Sequence, residues 1–142
     1  MNAVTNSPSR IRILATAMLF GTLAIGSASA AGMKVTLSGA NEVPPVTTSA
    51  TGSGTITVGD DGSVSGSVTT TGIAGTAAHI HEGAAGKNGP VIVPFTKDGD
   101  TYKALAGAKL TEAQMATLKA GGLYVNVHSA ANPGGELRSQ LK

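Results

Sequence analysis

The chain has 142 residues, with ten Lys+Arg, eight Asp+Glu, three His and no Cys, for a formal charge of +2. Aromatic residues make up only 3% of it, and without a basic stripe or an aromatic platform for bases, nucleic acid is excluded as a partner. The absence of cysteine excludes disulfide staples and thiolate metal sites. The fold must rest on its apolar core or a bound partner, and histidine is the remaining soft-metal ligand.

Residues 1–30 read as a secretory signal peptide. Arg10 and Arg12 precede an apolar run from Ile13 to Ile25, and in the closing "GSASA" Ala28 and Ala30 fit an A-x-A cleavage site. The run is too short for a membrane span. The expected mature chain is residues 31–142, one small domain exported to the periplasm or the extracellular space. Losing Arg10 and Arg12 leaves eight basic against eight acidic residues and no net charge.

The rest reads as short β-strands punctuated by Gly, Asn, Asp and Pro. "MKVTLSG" puts Val35 and Leu37 on one face. "NEVPPV" is an extended entry strand whose Pro44 and Pro45 lack N–H groups and protect a sheet edge. "TTSATGSGT" has the composition of a surface loop. "GTITVGDDGSVSGSV" is a hairpin turning at Asp61-Gly62, with Ile56, Val58, Val64 and Val68 inward. "TAAHIHEG" and "PVIVPFT" follow, then a turn at "KDGD" into "TYKALAG"; this turn lacks the further acidic residues of a calcium loop. In "LTEAQMATLKAGG", Thr111 and Gln114 form a capping box, Leu110 and Met115 a hydrophobic staple, and Gly121 or Gly122 a stop. That segment is a short helix on a connection. "GLYVNVHS" and "GELRSQL" are the last strands. This pattern predicts an all-β fold, an antiparallel Greek-key β-sandwich with one short helix.

The histidines carry the chemistry. Side chains at i and i+2 of a strand share a face, so His79 and His81 project together while Ile80 points the other way. The same alternation sets Tyr124, Asn126 and His128 opposite Leu123, Val125 and Val127. With the aliphatic faces inward, all three histidines stand outside the core, beneath whatever loops cover them. Three imidazoles suit copper, or zinc as the alternative, with a position left open for another ligand. Glu82, Asn126, Glu136 and Arg138 are the candidates to orient the rings. The competing reading makes His79 and His81 holders of the Gly-rich segment "EGAAGKNGP".

"LSGANEVPPV", "AHIHEGAAGKNGPVIVPF", "LTEAQMATLKAGGLYVNVHS" and "NPGGELRSQL" together resemble the CHRD domain, a module named after chordin and also found in exported bacterial proteins. The likeness runs from about Met33 to Leu141. It implies a binding module and names no ligand. A more distant similarity is to copper/zinc superoxide dismutases, Greek-key folds in which an H-x-H pair and a later strand-end histidine hold copper. His79, His81 and His128 look like that set, and Arg138 looks like the active-site arginine, which would attract an anion. The chain departs from that pattern in having no fourth histidine, no zinc-ligand loop and no cysteines. Three functions follow as expectations: a binding module with a three-histidine copper or zinc site, a copper-dependent oxidoreductase, or a structural domain that binds an unidentified protein.

Overall fold

The structure is a computed structural model that describes residue 30 and residues 32–142. The expected signal peptide therefore falls almost wholly outside the described residues. Eight strands form: β1 (Met33–Ser38), β2 (Thr51–Val58), β3 (Val64–Thr71), β4 (Gly75–Glu82), β5 (Val91–Asp98), β6 (Thr101–Ala104), β7 (Leu123–Ser129) and β8 (Leu137–Gln140). Helix α1 (Glu112–Lys119) lies on the connection from β6 to β7, and a 3-10 turn (Gly39–Asn41) follows β1. No helix among the described residues is long and apolar enough to cross a membrane.

Each local element follows from its sequence. The β2–β3 hairpin turns with Gly62 at φ +83°, a left-handed conformation glycine adopts without a Cβ penalty. Thr111 caps α1 with both halves of the capping box formed. Met115 and Leu118 are partly buried against the core.

Two expectations need correction. "TTSATGSGT" is not all loop, because β2 starts at Thr51. Gly52 and Gly54 face inward there, and a Cβ on Gly54 would stand 2.0 Å from the Ser67 carbonyl oxygen. These glycines let strands pack closely; they do not loosen the chain. Likewise "NEVPPV" is no entry strand: after the 3-10 turn, residues 42–50 form an irregular strap over the outside of the sheet.

The expected two-sheet sandwich is instead one closed ladder, ordered β1-β2-β3-β6-β5-β4-β7-β8 and back to β1. Within it, β4, β5 and β6 are joined in sequence, and the long connection carrying α1 returns β7 beside β4, a Greek-key path. Closure gives every strand two neighbours, which removes the sheet edges a sandwich would leave. At the seam β1 and β8 meet through the single pair Ser38↔Arg138.

The barrel interior is filled by side chains, as an eight-stranded barrel requires. Leu37, Ile56, Val68, Ile80, Tyr102 and Val125 are among those fully buried in it. Each such aliphatic side chain contributes roughly 1.5–3 kcal/mol through burial. Because Ile80, Val125 and Val127 point inward, the alternate residues of β4 and β7 point outward. A register shift between Ile80 and His81 in the pairing with β5 marks a bulge, a device that locally bends a strand and re-aims its side chains.

Candidate metal site

Cross-strand register brings the histidines together. His79 pairs with Asn126 and His81 with Tyr124, so His128 lies diagonally across from His79, within reach of a ring. The ring centroids are 4.9 Å apart for His79 and His128, 5.6 Å for His79 and His81, and 5.7 Å for His81 and His128. One ring nitrogen from each residue lies within 4.8 Å of the others. Nitrogens bound to one ion at about 2.0–2.1 Å stand at most about 4.2 Å apart, so small ring rotations suffice to close the set.

The backbone decides which nitrogens are free. His81 Nδ1 donates to the Gly89 carbonyl oxygen at 2.9 Å, and His128 Nδ1 donates to the Pro133 carbonyl oxygen at 2.9 Å. Both rings therefore turn a bare Nε2 toward the cluster. His128 Nε2 accepts from His79 Nδ1 at 3.0 Å. His81 Nε2 is buried and has no hydrogen-bond partner. Such an orphan acceptor costs about 1–3 kcal/mol, and a metal ion bound through that lone pair would remove the cost. Burial is the main reason that His79 and His81 both titrate below the ordinary histidine value of 6.5, with the other imidazoles adding to it. Both shifts favour the neutral imidazole, the form that binds metal. Three neutral imidazole nitrogens so placed could hold a metal ion. His79 and His128 are half-exposed, which leaves solvent a way to the open position.

A stack stands behind His81. The Tyr124 ring lies 4.9 Å from the His81 ring at an interplanar angle of 10°, and the Arg138 guanidinium carbon sits 3.5 Å from the Tyr124 centroid. Strands β4 and β8 flank β7, so histidine and guanidinium cover opposite faces of the tyrosine. The Tyr124 hydroxyl accepts from the Gly89 N–H at 3.1 Å. The residue that orients His81 is thereby held by the ring that stacks on it. A Cβ on Gly89 would stand 1.6 Å from the Glu82 carbonyl oxygen, so only glycine allows this approach.

None of the four residues expected to orient the rings hydrogen-bonds to a ring, and Arg138 acts on His81 only through Tyr124. Glu82 accepts from the Thr117 hydroxyl at 3.1 Å, tying β4 to α1; as a neighbour of His81 along the strand, it points off the histidine face. Glu136 accepts from Thr48, Ser129 and Asn132, and these bonds, Ser129 first, hold its carboxyl below the usual range. It shapes the loop that carries Pro133. Asn126 lies on the site face but donates to Glu42 and to the Leu137 carbonyl oxygen. Arg138 is 1% exposed. Its terminal nitrogens donate to the carbonyls of Ala84 and Lys87 and the side chains of Asn88 and Gln140. It clamps the 83–90 loop and is not presented to solvent to attract an anion. The "EGAAGKNGP" segment is held as the competing reading of the histidines expected, by His81 at Gly89, and Arg138 shares that task.

Sequence reasoning missed Gly89 and Pro133, whose carbonyls have no side-chain signature. It also left Glu42 without a place. That carboxyl is 6% exposed, and burial pushes its pKa from 4.5 up to about 7, against the lowering effects of Asn126 and Arg138.

In comparisons with known proteins, a family model described as CHRD domain matches residues 33–141. No curated protein and no solved structure matches the chain significantly.

Two predictions follow from this geometry. The raised Glu42 pKa means that the folded chain binds a proton more readily than the unfolded one. Its contribution to stability is full below pH 4.5 and is lost as pH rises through about 7. Unfolding free energies from urea titrations of the wild type and Glu42→Gln should therefore diverge in the wild type's favour as pH falls from 8 to about 5; parallel curves would refute the assignment. Arg138→Met should cost on the order of 2–4 kcal/mol by leaving loop carbonyls unpaired, and should speed hydrogen exchange in the 83–90 loop more than in β2 and β3.

Proposed function

The chain belongs to the CHRD domain family, and from that premise we propose that it is an exported binding module whose His79, His81 and His128 hold one copper ion. The observation that carries this reading is the buried, unpartnered Nε2 of His81, aimed with the other two rings into a cluster of nitrogens within 4.8 Å of one another. If the histidines served only to brace loops, the Nδ1 bonds to Gly89 and Pro133 would be enough, and no benefit would offset the cost of the orphaned nitrogen.

Copper is preferred over zinc because nitrogen donors bind divalent copper more tightly than zinc, and the three imidazoles come without the thiolates or carboxylates common in structural zinc sites. Export is proposed from the leader-like residues 1–30 and agrees with a fold that needs no reduced cysteine. When bound, copper would supply a Lewis-acidic, redox-capable centre. The chain's own residues supply its setting. Gly89 and Pro133 fix the tautomers of His81 and His128, Tyr124 and Arg138 hold His81 in place, and His79 would present Nδ1 to the ion in the tautomer that carries its proton on Nε2, the proton passing from one nitrogen to the other through solvent. An oxidoreductase related to superoxide dismutase is less well supported, since Arg138 is enclosed and committed to loop carbonyls.

Competitive titration of the chain with Cu(II) and with Zn(II) tests the proposal. We expect one equivalent of copper to bind more tightly than zinc, and His81→Ala and His128→Ala each to weaken copper binding by more than about 100-fold, because removing a ligand costs more than removing an outer-shell partner. Equal affinity in both variants, with their folds intact by circular dichroism, would overturn it.

A further inference from the structure

The strap over the outside of the barrel leaves a cleft on its flank, separate from the histidine cluster. It has a volume of about 590 Å³ and runs between residues 42–47 and the loop 131–135. Pro44, Pro45 and Val46 stand on one side and Pro133 on the other, stiff and apolar, while Thr47, Asn88 and Asn132 make the rest of the lining polar. Its charged lining residue is Glu42, which the fold buries.

That carboxyl has hydrogen-bond donors but no paired cation. Asn126 and the Val43 backbone N–H donate to it, and among the described residues no Lys or Arg makes an ion pair with Glu42. Arg138 acts on it through space, with its terminal nitrogens directed to the 83–90 loop and Gln140. Burying a carboxylate without a paired cation is costly, which is what raises the Glu42 pKa, and a cation bound beside it would restore the charged form. Such a cation must be small enough to enter between two proline-walled segments, with an apolar stem to lie along them. A metal ion does not fit this description, because the cleft offers one carboxylate and no imidazole or thiolate.

We propose that this cleft binds a primary ammonium group on a short aliphatic stem, with the charge at Glu42 and the methylenes between Pro44, Pro45 and Pro133. The cleft shares Pro133 with the loop that orients His128, but the proposal does not require that a metal be bound.

The test is an NMR titration of the metal-free chain with n-butylammonium chloride, beside n-butanol, which has the same stem without the charge, and blocked N-acetyl-lysine methylamide. Saturable shifts at the Asn88, Asn132 and Gly134 amides with the amine and not the alcohol are expected. Glu42→Gln, which keeps the acceptor for Asn126, should weaken binding about tenfold or more, as loss of a charge-assisted hydrogen bond does. Tighter binding of the free amine would identify a small metabolite-like amine as the source, and tighter binding of the blocked lysine a protein side chain. Absence of saturable shifts, or equal response to amine and alcohol, would overturn the proposal. That comparison on the unsubstituted chain stands even if the variant does not fold.

Discussion

Strand β7 is buried on both of its faces, and only the inner one is apolar. Leu123, Val125 and Val127 fill the barrel, while Tyr124 and Asn126 on the outside are as enclosed as the core and His128 is half-exposed. Polar groups taken from water need partners, so three covering segments must supply them. The strap brings Glu42 to Asn126, the 83–90 loop brings the Gly89 amide to Tyr124, and the 130–136 loop brings the Pro133 carbonyl to His128. Gly135 makes the last approach possible: at φ +132°, with Asn126 atoms 2.5 Å from where a Cβ would stand, no other residue fits. The barrel is thus a support, and the loops are organised around the outside of one strand.

Almost every polar atom of this covered face finds a partner, and the exception lies among the histidines. His81 and His128 are oriented by backbone carbonyls, burial first of all favours the neutral form of His79 and His81, and His81 is braced by an aromatic stack capped with a guanidinium. Orientation of this kind is what a metal site needs beyond its ligands. A set of loops that merely covered a strand would not need to leave the buried Nε2 of His81 bare.

Much of this was legible in the sequence. Alternation of aliphatic and polar residues gave the strands, and the same parity placed His79, His81 and His128 on one outer face. The capping box gave α1. Closure into a barrel was not legible, because it depends on a single long-range pair, Ser38 with Arg138, that no local pattern encodes. Glycines at inward positions of β2 looked like loop composition because sequence rules see their flexibility and not the close strand packing they permit. Glu82 and Arg138 showed how parity alone falls short. The first points to α1 and the second into a cage of carbonyls, and both follow from loops whose paths are fixed by tertiary contacts. The CHRD resemblance survived comparison; the likeness to superoxide dismutases drew no support from solved structures.

The central claim, that three imidazoles on two adjacent strands converge on one ion, is tested most directly by crystals of the copper-loaded chain measured at the copper edge. The account predicts one anomalous peak, about 2.0–2.1 Å from one ring nitrogen of each of His79, His81 and His128, with Gly89 and Pro133 still accepting from the Nδ1 atoms. A peak elsewhere, or one held by fewer than three of these rings, would contradict it.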